Sequence, residues 1–422
     1  MMRGMDYHPR IADAEVEQQL AVAGAVLVRG PKGCGKTETA RQHAASEILI
    51  DDSATVKTAM EADPAHLLRG DTPRLVDEWQ EQPSLWNTVR HEVDRRRAKG
   101  QFILTGSSTP RDDDLEGLHS GVGRFGVVEM ETMTWWERHW STGEVSLADV
   151  LAGQTPQSQT VGPNLSAVAE RLIIGGWPGN LDQDTEHSRL ANVNYIRLLT
   201  STDVRRTAGT RRNPRTARRV LQSLARNVST ECDVSEIAAD VAGADGTINR
   251  DTVAAYLDAF DRLMVRTDLP AWNTHIRSRA RLRTSPKRHL CDTGLAGAAL
   301  GLTPPKLLAD LEYMGLLFES AAIHDLRVYA RASGGELAHY RDSNRLEADA
   351  VIEFPDTSWA AVEIKLGFGA VSEAAASLLA VAANVDQSRV GPPRALIVVT
   401  GAGFAHRRPD GVCVVPLETL RE

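Results

Sequence analysis

Residues 30–37 read Gly30-Pro31-Lys32-Gly33-Cys34-Gly35-Lys36-Thr37 and fill every position of the phosphate-loop pattern G-x-x-x-x-G-K-[ST]. An apolar run, Ala25-Val26-Leu27-Val28, leads into it, and an alanine-rich helical stretch from Thr37 to Ala45 leaves it. Strand, glycine loop and helix in that order constrain the fold more than any other feature of the chain. The glycines let backbone N–H groups close around phosphate oxygens, and the helix N-terminus adds partial positive charge. Lys36 would reach the β- and γ-phosphates, and the Thr37 hydroxyl would meet Mg²⁺. Residues 30–37 are therefore expected to bind a nucleoside triphosphate.

Further along, Pro73-Arg74-Leu75-Val76-Asp77-Glu78 is a short apolar strand that ends in two carboxylates. An acidic pair after two apolar residues is common alone, but about forty residues beyond a phosphate loop it reads as a Walker B site. Asp77 would hold Mg²⁺ and Glu78 would polarise the attacking water. A third apolar run, Phe102-Ile103-Leu104, ends in Thr105-Gly106-Ser107-Ser108. A hydroxyl there can touch the γ-phosphate or the water; Thr105 is the first candidate and Ser107 the second. Runs at 25–28, 48–50, 74–76, 102–104 and 125–130 alternate with helical segments, which predicts an α/β domain with a parallel sheet flanked by helices.

The 422 residues allow two or three domains, and 42% hydrophobic with 25% charged residues is ordinary for a globular protein. No apolar stretch is long enough for a membrane span, and the first residues lack a signal-peptide core. Cys34, Cys232, Cys291 and Cys413 are scattered without metal-ligand spacing, which fits a reducing cytoplasm. The net charge of −8 hides segregation. Between Val204 and Thr230 lie eight arginines (205, 206, 211, 212, 215, 218, 219 and 226) and no acid. From Asn273 to Leu290 follow Arg277, Arg279, Arg281, Arg283, Lys287 and Arg288, again without an acid. Such blocks suit a phosphate backbone, so DNA read with little sequence preference is the expected partner. The alternative is a solvated face, or a surface that meets the acidic remainder of the chain.

Four segments follow from these patterns: 1–145 for the nucleotide domain, 146–200 for a linker and helical lid, 201–284, and 285–422. The Gly-, Ser-, Thr-, Gln- and Pro-rich stretch 141–165 reads as a linker. In the third segment, a helix over Val234–Val241, a glycine-containing loop and an amphipathic helix over Asn249–Leu263 describe a helix-turn-helix. Arg277, Arg279, Arg281 and Arg283 alternate at period two and would form a basic wing. The last segment predicts a helix containing Glu319, three strands, an alanine-rich helix and a further strand. Asp349 lies on the second strand, and Glu363-Ile364-Lys365 on the third puts Glu363 and Lys365 on one side. Two carboxylates for Mg²⁺ and a lysine to activate water could meet there, with Glu319 joining from the helix. Glu347, on the same strand face as Asp349, could instead capture Lys365.

The runs G-A-V-L-V-R-G, P-K-G-C-G-K-T, P-R-L-V-D-E-W-Q and G-Q-F-I-L-T-G-S resemble bacterial and archaeal AAA-type P-loop ATPases. The chain is similar in particular to the group with a C-terminal domain of unknown function, in which a winged helix precedes a PD-(D/E)xK nuclease-like region. Ser285-Pro286-Lys287, Asp292-Thr293-Gly294-Leu295, Phe318-Glu319, Glu347-Ala348-Asp349 and Glu363-Ile364-Lys365 carry that part. The resemblance implies a P-loop NTPase sheet, a winged-helix region and a PD-(D/E)xK-like α/β domain, with ATP and Mg²⁺ as cofactors. It also implies an arginine that completes the site in cis or from a neighbouring subunit, for which Arg124 is the candidate. Three functions remain open at this point: an ATPase that drives a DNA-directed module, a slow nucleotide switch that binds a protein partner or a second copy, and an ATP-regulated nuclease.

Overall fold

The computed structural model describes residues 7–51, 53–107, 121–204, 207, 213–243, 246, 248–272, 285–342 and 346–422. They form two compact units. The first is built from residues up to Thr132 and takes in Asp258–Val265; the second contains most of the chain from Met133 onward.

In the first unit, helices Ala12–Val22 (α1), Lys36–His43 (α2), Ala54–Ala62 (α3) and Leu85–Arg96 (α4) alternate with five strands. The strands are Ala25–Arg29 (β1), Ser46–Leu49 (β2), Arg74–Asp77 (β3), Phe102–Gly106 (β4) and Phe125–Glu129 (β5). All pairings are parallel, in the order β2-β3-β4-β1-β5. Burial drives the layering. Leu85, Val89 and Val93 recur every fourth residue on α4 and pack with Val76, Phe102 and Leu104 of the sheet. Ala25 pairs Phe102 in register and Phe102 pairs Arg74, so β4 separates the strand before the phosphate loop from the acidic strand. The loop after β1 and the ends of β4 and β3 therefore open at one edge of the sheet, where ligands of open parallel sheets bind. This is a P-loop NTPase fold.

The second unit opens with Val145–Ser146 (β6) and helices Leu165–Ile174 (α5), Thr185–Leu198 (α6), Pro214–Arg226 (α7) and Val234–Ala242 (α8). Residues 141–165 are not a free linker. Strand β6 pairs in parallel with Leu420–Arg421 (β13), and the Ser141 hydroxyl donates to the Leu420 carbonyl at 2.7 Å across 279 residues. Glu144 accepts from the Gln159 N–H at 2.8 Å, which ties down the polar stretch by hydrogen bonds that its composition does not reveal. Helix α8 has a capping box between Asp233 and Glu236, and Asn249 caps the amphipathic helix Arg250–Arg262 (α9), which is assigned to the second unit up to Leu257 and to the first from Asp258. After α9, Leu269 and Lys287 exchange backbone hydrogen bonds of 2.9 and 3.0 Å as antiparallel partners. Arg277, Arg279, Arg281 and Arg283 of the expected wing lie outside the described residues.

Helices Thr293–Leu300 (α10) and Leu311–Ala332 (α11) precede a mixed sheet. Its strands are Glu336–Arg341 (β7), Glu347–Glu353 (β8), Trp359–Lys365 (β9), Leu396–Thr400 (β10), His406–Arg407 (β11) and Cys413–Pro416 (β12), in the order β11-β12-β10-β9-β8-β7. Helix Val371–Asn384 (α12) covers one face, burying Val371, Ala374, Ala375, Leu378 and Val381 with Val351, Ala361 and Val398. The expected order of helix, three strands, helix and strand is present.

One buried group gives this unit a pH dependence. His289 is fully enclosed, with Nδ1 3.0 Å from the Ser320 hydroxyl. Burial, then repulsion from Arg327, Lys287 and His339, holds the imidazole well below its ordinary value. The unfolded ring takes up a proton near pH ~6.5 and the folded ring does not, so its stability contribution is present above that pH and is lost as pH falls below it. His289→Gln is expected to reduce the loss of thermal stability between about pH 6.5 and 5 relative to the parent. Parallel unfolding curves for the two proteins over that range would refute the assignment.

Candidate nucleotide site and C-terminal charge cluster

The phosphate loop is shaped by its glycines. A side chain at Gly30 would meet the Met130 carbonyl oxygen at 2.1 Å, and Gly33 and Gly35 have φ of 82° and 106°. Helix α2 begins at Lys36, whose Nζ donates to the carbonyls of Gly30 and Pro31 at 2.9 Å each. The ammonium thus lies folded into the mouth of the loop. Behind the loop, Arg10 donates to the Cys34 carbonyl at 2.7 Å and to the Glu131 carbonyl at 2.9 Å. Nothing in the sequence pointed to Arg10, because a lone arginine ahead of a helix carries no motif.

The carboxylate of Asp77 accepts from the Thr37 hydroxyl at 2.9 Å and from the Thr105 hydroxyl, both on Oδ1. The neighbouring strands β3 and β4 bring Asp77 and Thr105 together, and Thr37 comes from α2. Thr37 and Asp77 are hard oxygen donors side by side, a set that fits Mg²⁺. Glu78 adopts a left-handed backbone conformation, φ 56° and ψ 41°, uncommon for a non-glycine residue and frequent where strain serves a site. Its carboxylate accepts from Gln80 and, at 3.4 Å, from the Ser107 hydroxyl. Thr105 and Ser107 therefore divide between the two acids. Gln80 was not anticipated; its position two residues after Glu78 is the only trace in the sequence. Arg124 does not reach its own chain's site. It precedes β5 at the opposite end of the parallel strands, its carbonyl accepts from the Gly24 N–H, and its guanidinium pairs with Asp94 at 2.8 Å.

In the C-terminal part, the carboxylates of Glu319, Asp349 and Glu363 gather as expected, but around two ammonium groups. Lys287 Nζ is 2.8 Å from Glu319 and 3.2 Å from Asp349 Oδ1. Lys365 Nζ is 2.6 Å from Glu363 and 3.4 Å from Asp349 Oδ2. Lys365 is thus held in ion pairs, as one alternative had it, but its partners are Glu363 and Asp349 rather than Glu347, which pairs with Arg341 at 3.0 Å. The Ile364 N–H also donates to Asp349 Oδ2 at 2.8 Å, and the Ser377 hydroxyl donates to Glu363 at 3.3 Å. Burial would raise Asp349, but Lys287, Lys365 and the Ile364 N–H hold it below the usual carboxylate range. Burial, then Asp349, pushes Glu319 up to about 7 and Glu363 up to about 8. Three carboxylates thus face two ammonium groups. These donors do not fit a divalent metal: each of the three carboxylates is already paired with an ammonium group. Among the described residues, no group of three or more His, Cys, Asp or Glu is arranged to hold one.

The basic blocks divide as well. Of the first block, Arg205, Arg206, Arg211 and Arg212 lie outside the described residues; on α7, Arg215, Arg218, Arg219 and Arg226 are exposed, opposite buried Ala217, Val220, Leu221 and Leu224. Arg226 pairs with Asp240, whereas Lys287 and Arg288 of the second block are buried, Arg288 against Asp268 and the Cys232 carbonyl. Those two are internal ion-pair partners and cannot meet a phosphate backbone. No helix among the described residues is long and apolar enough to cross a membrane.

Residues 23–139 match the family described as AAA domain. That stretch is similar to an ATPase domain. Residues 165–306 and 314–420 match two further families, each described as a domain of unknown function. The chain is 28% identical over 351 residues to an uncharacterised protein of Mycobacterium tuberculosis and to one of Mycobacterium bovis, covering 82% of this chain and 71% of each relative. A solved Walker-type ATPase of Pyrococcus abyssi has a TM-score of 0.42 at 14% identity, over 70% of this chain and 96% of that one. The AAA-like stretch contains the phosphate loop, Asp77, Glu78, Thr105 and Ser107.

Proposed function

We propose that the chain is a Mg²⁺-dependent ATPase whose turnover is coupled to a module that engages DNA with little sequence preference. The observation that carries the first half is the joining of the Thr37 and Thr105 hydroxyls on one oxygen of Asp77. Bound Mg²⁺ would neutralise phosphate charge, held by Thr37 and Asp77. Lys36 exchanges its loop carbonyls for the β- and γ-phosphates. Thr105 fixes the Asp77 side chain, and Glu78, oriented by Gln80 and Ser107, polarises the attacking water.

The DNA half is supported by the exposed arginine face of α7. Phosphate release measured with and without double-stranded DNA tests the coupling. DNA affinity is expected to fall steeply between 50 and 200 mM salt, and Arg215→Glu with Arg218→Glu should weaken it by about tenfold or more. If the parent binds no DNA at low salt, or the double reversal changes nothing, the switch with a protein partner replaces this reading.

A further inference from the structure

The C-terminal cluster differs from a metal-dependent site in one respect that has a physical consequence. Lys287 comes from neither the helix nor the strands that bring the acids. It sits on the arm that pairs with Leu269 through both backbone hydrogen bonds, with Glu231 as a further antiparallel neighbour. That pairing pins the backbone, so the side chain enters between Glu319 of α11 and Asp349 of β8. Its ammonium touches both carboxylates in a buried position. The remaining oxygen of Asp349 is taken by the Ile364 N–H and Lys365. We propose that the Lys287 ammonium is the resident cation of this cluster, holding the place between Glu319 and Asp349 that a divalent metal would need. The fold closes around it without a metal, and the carboxylates take up a divalent ion only when that side chain is removed. Whether the first unit hydrolyses ATP does not bear on it.

The physical ground is that carboxylates buried together require positive charge among them. An ammonium donates hydrogen bonds at roughly 2.8 Å, and a divalent ion draws oxygens to roughly 2.1 Å, so both cannot occupy one position. Nucleotide-free full-length chain and its Lys287→Met variant are titrated with Mn²⁺, read by electron paramagnetic resonance and by the thermal unfolding midpoint. Adding Asp349→Asn to each separates this site from the nucleotide site. Lys287→Met should lower the midpoint by roughly 5 °C or more. Mn²⁺ should restore part of that loss and bind at a site that disappears with Asp349→Asn. The parent should show no Mn²⁺ site that depends on Asp349. Such a site in the parent, or a folded Lys287→Met variant without one, overturns the proposal. If Lys287→Met does not fold, Lys287→Met combined with Glu319→Gln removes one charge of each sign and is expected to fold. Failure of that pair to recover folding would assign Lys287 to packing and overturn the charge role.

Discussion

Glu78→Gln is expected to lower ATP turnover by at least about a hundredfold while leaving ATP affinity within a few-fold of the parent. The change removes the group that polarises water and keeps its shape. The amide oxygen can still accept from Ser107 and Gln80, the two side chains that orient Glu78, so its left-handed backbone need not move. Asp77, Thr37 and Thr105 are untouched, which preserves the oxygen donors for Mg²⁺. Steady-state phosphate release and nucleotide titration separate the two effects. Turnover near the parent's would move the water-polarising role to another side chain.

Lys36→Ala should have the larger effect on binding. The Lys36 ammonium is buried and held by the loop's own carbonyls, so it is already at the mouth into which phosphates enter. Its loss removes that positive charge and leaves the carbonyls of Gly30 and Pro31 facing phosphate oxygens. ATP affinity should fall by about a hundredfold or more, because a charge-assisted contact is exchanged for repulsion at short range. Isothermal titration of folded variant against ATP is the check, and unchanged affinity would defeat the assignment of residues 30–37.

Local patterns were legible in the sequence, and partnerships across the chain were not. The phosphate loop, the acidic strand end and the amphipathic helix α9 are written in contiguous residues whose spacing matches one element each. That Asp77 is shared by Thr37 and Thr105 depends on β4 lying between β1 and β3, and strand order is set by packing rather than by any local signal. The same holds for Lys287. Counted along the chain it belongs to a basic block, yet backbone pairing with Leu269 turns it inward to meet acids 32 and 62 residues away. Arg124 illustrates the converse. Its place at the start of a strand sends it to the sheet edge away from the phosphate loop, which a parallel register fixes and a motif does not.

The pairing of β6 with β13 has a consequence for synthesis. Ser141 and the strand after it have no edge partner until Leu420 and Arg421 have left the ribosome, 279 residues after Ser141. At about 5–20 residues per second that is a wait on the order of 15–55 s, long compared with the folding of a local helix. During that interval the two-residue strand lacks its partner, so this pairing is timed by translation rather than by local folding.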